Sequence, residues 1–249
     1  QIFFLPFFMK KKSLLIGMAA LIFPMTMMGQ YTIYPVPHTQ TAGTGTVSFT
    51  NIVNVVCDNG IDEATRNRVK DIFAAHNVTV TFSDAASSTE SNVYLGVNGA
   101  NGQGNAMATQ LGLSTDVLTK EGKFDRHILS LTDGGNGTAQ LLVLGENTDA
   151  TFFGLASLEQ MLDNGTEGLA TVTINDYADL KERGVIEGFY GKPYAGEVRQ
   201  DLLRFMMRYK MNCYVYGPKS DYYHSGKWSE PYPLSLIHIS EPTRRTPIS

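Results

Sequence analysis

An α/β fold is predicted for this chain from three observations. Short apolar runs rich in β-branched residues alternate with amphipathic stretches long enough for helices. The clearest case, residues 185–216, reads strand, helix, strand, and two parallel neighbours need the crossover helix that residues 195–211 supply. The 249 residues carry 43% hydrophobic and 18% charged side chains, a globular balance with length for two domains. A formal net charge of −4 offers no basic field, so no nucleic-acid partner is expected.

Residues 1–30 read as upstream residues plus a signal peptide. Residues 1–8 precede Met9, after which Lys10, Lys11 and Lys12 lead into an apolar run over residues 14–23. That run is shorter than the ~20 apolar residues of a bilayer span. No cysteine follows it for lipid attachment. Export is expected, to the periplasm or outside a bacterial cell, with no stable membrane anchor.

Residues 31–177 read as an N-terminal α/β domain. Residues 47–56 are strand-rich, and residues 62–75 form a helix with Val69, Ile72 and Phe73 on its apolar side and acids at its start. Residues 78–82 and 93–97 are short strands. Residues 127–131 and 140–144 flank Asp133-Gly134-Gly135-Asn136-Gly137, a hairpin signal. A largely apolar helix over residues 149–162 and a closing strand over residues 171–174 follow, and residues 175–182 read as a polar linker. The glycine-rich stretch 98–105, NGANGQGN, sits between a strand and a helix, but its glycines do not follow G-x-G-x-x-G. A flexible surface turn is expected there, not a dinucleotide loop. Cys57 and Cys213 fall in different units and read as small buried residues, not as a disulfide framework.

Residues 178–233 hold the second unit. The strand 185–190 ends among Gly188, Tyr190, Gly191 and Pro193. In the helix that follows, Val198, Leu202, Leu203, Phe205, Met206 and Tyr209 share one face, while Glu197, Arg199, Arg204, Arg208 and Lys210 fill the other. The strand 213–216 stops at Gly217 and Pro218 and delivers Lys219, Asp221 and His224 into a loop. In parallel sheets polar chemistry collects past the carboxyl ends of the strands, and Gly188 and Lys219 both lie there, about one βαβ repeat apart. Strand alternation puts Val185, Glu187 and Phe189 on one face and Ile186, Gly188 and Tyr190 on the other. Glu187 thus points away from Gly188 and reads as a partnered structural acid. Asp221, Tyr223, His224 and Trp228 stand open between lining a site and packing the loop. No second histidine or cysteine lies at ligand spacing from His224, so no metal and no cofactor is expected.

Two motifs in this unit, GVIEGFYGKPY and YKMNCYVYGPKSDYYHSGKWSEPYP, resemble the opening of the catalytic barrel of family 84 glycoside hydrolases. Those are retaining β-N-acetylglucosaminidases that include O-GlcNAcases and hyaluronidase-like enzymes. The likeness covers residues 183–233 strongly. It reaches more weakly back to about Tyr31 through GENTDATFFGLASLEQML and VTINDYADLKERG. It implies that residues 178–233 are the first βαβ portion of a truncated TIM (β/α)8 barrel, and that the partner is a glycan or glycoconjugate with terminal N-acetylglucosamine. In the implied mechanism the sugar's 2-acetamido oxygen attacks C1 to form an oxazoline, assisted by two neighbouring aspartates. By the same likeness Gly188 gives a backbone contact to the sugar and Lys219 hydrogen-bonds its hydroxyls. A residue without Cβ admits close approach, and an ammonium offers three donors. The aspartate pair belongs at the end of the fourth barrel strand, so no catalytic residue is expected in this chain and it should be inactive alone. Residues 234–249, LSLIHISEPTRRTPIS, read as a non-native tail. Ser220 stands where the commoner family pattern has Asp. Uncovered strand edges and an uncovered apolar helix face predict poor solubility. Two competing readings are a non-catalytic glycan-binding module over residues 31–177 and a structural α/β domain with a fortuitous motif.

Overall fold

The computed structural model describes residues 31–99, 101–135, 137–188, 190–191, 194–217 and 219–233. The expected signal peptide and the C-terminal tail lie outside them.

Seven strands form one mixed sheet in the order β1-β7-β5-β6-β4-β2-β3. They are β1 (Thr39–Val47), β2 (Ile52–Cys57), β3 (Thr79–Ser83), β4 (Ser91–Val97), β5 (Phe124–Asp133), β6 (Ala139–Gly145) and β7 (Leu169–Ala178). β2 runs parallel to β3 and β4, and β4 parallel to β6. The hairpin β5–β6 and the pairs β5–β7 and β1–β7 are antiparallel.

Helix α1 (Glu63–Ala74) starts where the Asp62 carboxylate accepts from the Thr65 N–H at 2.8 Å. Helix α3 (Thr148–Met161) starts where Asn147 Oδ1 accepts from the Ala150 N–H at 2.8 Å. Each cap satisfies a backbone donor that has no partner within its own helix. α1 and α3 cover one face of the sheet, where Val53, Val55, Leu95, Leu129, Leu141 and Val143 meet Phe73, Leu155 and Leu158. The other face packs Val56, Tyr94, Ile128, Leu142 and Leu144 against Met107 and Ala108 of α2 (Gln103–Gln110) and against Leu118. β6 is therefore apolar at consecutive positions, as a strand covered on both sides must be.

One strand of this domain was not predicted, and two expectations are corrected. The polar segment TQTAGTGTV forms β1, which among the described residues is an edge strand paired with β7 alone. Its outer residues are solvated, so no hydrophobic alternation marks it. β7 runs on to Ala178, so the first four residues of the expected linker belong to the sheet, and Asp176 among them is buried. The glycine-rich stretch is not a free surface turn. Gly102 and Gly104 pack on the Asp58 carboxylate, which accepts from the N–H of Val97 at 3.3 Å and of Gly104 at 3.4 Å, and a Cβ on Gly102 would collide with it.

A second, two-stranded parallel sheet pairs β8 (Gly184–Glu187) with β9 (Cys213–Tyr216) in the register Gly184↔Cys213 to Glu187↔Tyr216. The crossover is α4 (Gly196–Arg208), and Leu203 and Met206 bury against Tyr214, Val185 and Tyr216. The opposite face is open, with Ile186 73% exposed. Val198 and Phe205 of α4 are also exposed, in keeping with the expected uncovered apolar surface. The strand-helix-strand prediction and the overall α/β class both hold.

Candidate active site

The loops that leave β8 and β9 lie side by side. The Gly217 N–H donates to Glu187 O at 3.0 Å, extending the ladder one step past the strand ends. Beyond it, the Gly191 N–H donates to Ser220 Oγ at 2.9 Å. Ser220, where the commoner pattern has Asp, thus still ties the two loops together. Lys219 is exposed, and its Nζ lies 3.3 Å from Tyr190 Oη and 5.1 Å from the centre of that ring. Gly188 is exposed directly after β8, two residues before Tyr190. Among the described residues a Cβ on it would crowd Ile186 Cγ2 alone, at 3.3 Å. Packing against the described residues therefore does not demand glycine at this position.

Beneath these loops lies a polar layer of which the sequence pattern marked only Glu187. That residue shares the α4-covered face with Val185 and Tyr214 and is 2% exposed. Its carboxylate accepts from Arg199 Nε at 2.8 Å and Nη2 at 3.1 Å, from the Tyr194 N–H at 2.8 Å and from the Tyr214 hydroxyl. Burial pushes its pKa up, but the Arg199, Tyr214 and Tyr194 bonds outweigh burial and leave it below the usual carboxylate range. An acid held ionised and saturated with donors cannot deliver a proton to a leaving group. Glu187 is a structural acid, as its strand position implied.

Asp221 has the same role in the next layer outward. It accepts from the N–H groups of Tyr223 and His224 at 2.9 Å each, from Tyr216 Oη at 2.8 Å and from Tyr232 Oη at 3.2 Å. This caps the short helical turn Tyr222–Gly226 and braces the loop that carries Lys219. Burial together with the Asp221 bond raises the Tyr216 phenol to about 12, so it stays a proton donor to that carboxylate. Asp221 and Tyr223 therefore pack the loop, while His224 and Trp228 face solvent, Trp228 at 81% exposure. Among the described residues no group of three or more His, Cys, Asp or Glu side chains could hold one metal ion, and no helix is long and apolar enough to cross a membrane.

Sequence comparison matches residues 30–177 to the domain described as glycosyl hydrolase family 20, domain 2. Residues 183–240 match the family described as beta-N-acetylglucosaminidase. The chain belongs to the β-N-acetylglucosaminidase glycoside hydrolases of the family 84 type. Protein O-GlcNAcase of Rattus norvegicus and that of Mus musculus are each 47% identical to it over 49 residues, 20% of this chain and 5% of theirs. Among solved structures, CpGH84D superposes with a TM-score of 0.78 at 32% identity, over 88% of this chain and 37% of that one. CpGH84B gives 0.68 at 28% identity, over 86% and 34%. A family 20 exo-β-N-acetylglucosaminidase from Vibrio harveyi, solved as an inactive D437A mutant, shares the fold at a TM-score of 0.53 and 13% identity, over 74% and 25%. The chain thus spans well under half the length of each of these glycosidases.

The polar layer around Glu187 and Asp221 left partial traces in the sequence. Arg199 stood on the polar face of an amphipathic helix, one turn from its start. Tyr214 was one aromatic among many, and only the register with β8 brings it to Glu187.

Proposed function

We propose that this chain is the N-terminal portion of a secreted β-N-acetylglucosaminidase that removes terminal β-linked N-acetylglucosamine by substrate-assisted, retaining hydrolysis. One observation carries the reading: the loops after two adjacent parallel strands are tied together, one with an exposed backbone at Gly188 and the other with the exposed Lys219 ammonium. In this reading the sugar lies against the Gly188 backbone, where no Cβ intervenes, and Lys219 donates charge-assisted hydrogen bonds to its hydroxyls. Tyr190, in contact with Lys219, orients that side chain.

The reaction also needs one aspartate to polarise the acetamido N–H and another to act as general acid and then base. Glu187 and Asp221 are both committed to structural hydrogen bonds, so that pair is assigned to a later strand of the same barrel. Hydrolysis of a chromogenic N-acetylglucosaminide tests the reading. The complete gene product is expected to turn it over and residues 31–233 are not; robust turnover by the shorter piece would refute the assignment of the acidic pair. Titrating residues 31–177 with N-acetylglucosamine oligomers is expected to give no binding, and saturable binding would favour the glycan-binding module instead.

A further inference from the structure

The two strands that present Gly188 and Lys219 are gripped at their other ends by the seven-stranded sheet. Arg183, immediately before β8, donates from Nη2 to Asp125 Oδ2 at 2.5 Å. It also donates from Nε to the Lys210 carbonyl at 3.0 Å. Lys210, just before β9, is 6% exposed and sets its Nζ 2.6 Å from Asp176 Oδ2. The openings of the two strands are tied to each other as well. Asn212 Oδ1 accepts from the Arg183 N–H at 2.8 Å, and Arg183 O accepts from the Cys213 N–H at 3.0 Å.

Both acids come from neighbouring strands, β5 and β7, whose register shifts between Phe124 and His127. Asp125 lies in that irregularity with φ of 50°, a conformation uncommon outside glycine, which turns its side chain out of the ladder. Lys210 also has positive φ, 58°, as the chain leaves α4 and turns toward β9. The same domain caps that helix: Arg208 O accepts from Gln160 Nε2 at 3.0 Å, and Arg208 Nη2 pairs with Asp163 at 2.6 Å. Asp176 is further fixed by His38 Nδ1 at 3.1 Å. These groups converge on the amino ends of β8 and β9, about 13 Å of strand away from the candidate sugar contacts.

We propose that Asp125 and Asp176 are positioning residues of the sugar site: by anchoring Arg183 and Lys210 they set how β8 and β9 lie against each other, and hence the spacing of Gly188 and Lys219. The inference rests on the reading of those two residues as sugar contacts. A two-stranded sheet has little rigidity of its own, so its geometry is borrowed from what it docks on. Two ion pairs, one to each strand opening, also impose geometry that an apolar contact of equal area would leave free.

The test uses the complete gene product and the variants Asp125→Asn, Asp176→Asn and Lys210→Met, the last two also combined. KM and kcat for a chromogenic N-acetylglucosaminide are measured beside amide hydrogen exchange over residues 184–187 and 213–217. Each variant is expected to raise KM about tenfold while kcat changes less than about threefold, since a displaced ground-state contact weakens binding more than chemistry. Exchange over the two strands should quicken while that of β6 stays as in the wild type. Asp125→Asn, at a less buried site, keeps the test available if Asp176→Asn does not fold. Unaltered KM and unaltered exchange in folded variants overturn this inference alone. A wild-type protein that turns over no N-acetylglucosaminide overturns the sugar-site reading and this inference with it.

Discussion

The seven-stranded sheet and the two-stranded sheet solve the same packing problem to different degrees. In the first, helices close both faces, and Leu129, Leu141, Leu142 and Leu144 have no exposed surface. In the second, α4 covers one face only and Ile186 lies open on the other. The large sheet rests on apolar clusters of its own on both faces. The small one, which presents the candidate site, is held by buried polar groups and by ion pairs to its neighbour. Polar fixation is directional where apolar packing is not.

The sharpest way to break this contrast is Glu187→Ala. It leaves the Arg199 guanidinium and the Tyr214 hydroxyl without their shared acceptor in a buried place, at a cost of about 3–5 kcal/mol. Hydrogen exchange should show that loss in β8, α4 and β9, with β5 and β6 still protected. Leu141→Ala should do the opposite. A cavity between β4 and β5 costs about 2–5 kcal/mol and lowers the global unfolding midpoint in urea, because its neighbours belong to the common core.

Acid should act at the seam between the two. Burial first, then the nearby Lys210 charge, lowers the His127 pKa to about 4, and its Nδ1 donates to Asp125 O at 2.7 Å. The unfolded chain takes up that proton near pH 6.5 and the folded one does not, so stability falls between pH 6.5 and 4 by on the order of 3 kcal/mol. Asp176 adds a second window. Burial pushes its pKa up, but Lys210 and His127 outweigh it and hold it at about 2, so its contribution is complete above pH 4 and is lost between pH 4 and 2. Urea midpoints at pH 7 and 5 for the wild type and His127→Gln check the first window: the variant should show the smaller difference, and equal differences would remove His127 as the cause. The mildest change is Ile186→Thr with Phe205→Lys. Both positions are exposed, so stability should move by less than about 0.5 kcal/mol while the soluble fraction rises.

Where local chemistry decides structure, the sequence was legible. Asp62 announced α1, the Asp133–Gly137 turn announced the β5–β6 hairpin, and three- and four-residue spacing announced α4. Strict alternation also turned Glu187 away from Gly188, onto the face of Val185, before any partner was known. What stayed hidden depends on contacts between distant segments. β1 is polar because its outer edge meets water, so nothing in its own residues distinguishes it from a loop. Asp176 and Lys210 each looked like solvated charges, one in a linker and one at a helix end, and only the docking of the two sheets buries both.

The Asp58 carboxylate at the amino end of α2 has a consequence for ligands in general. In open sheets with parallel strands, the crevice past the carboxyl ends of the strands is where phosphate-bearing molecules settle, drawn by free backbone N–H groups. Here a tethered negative charge already takes the N–H groups of Val97 and Gly104. A phosphate approaching that crevice would meet repulsion in place of those two donors.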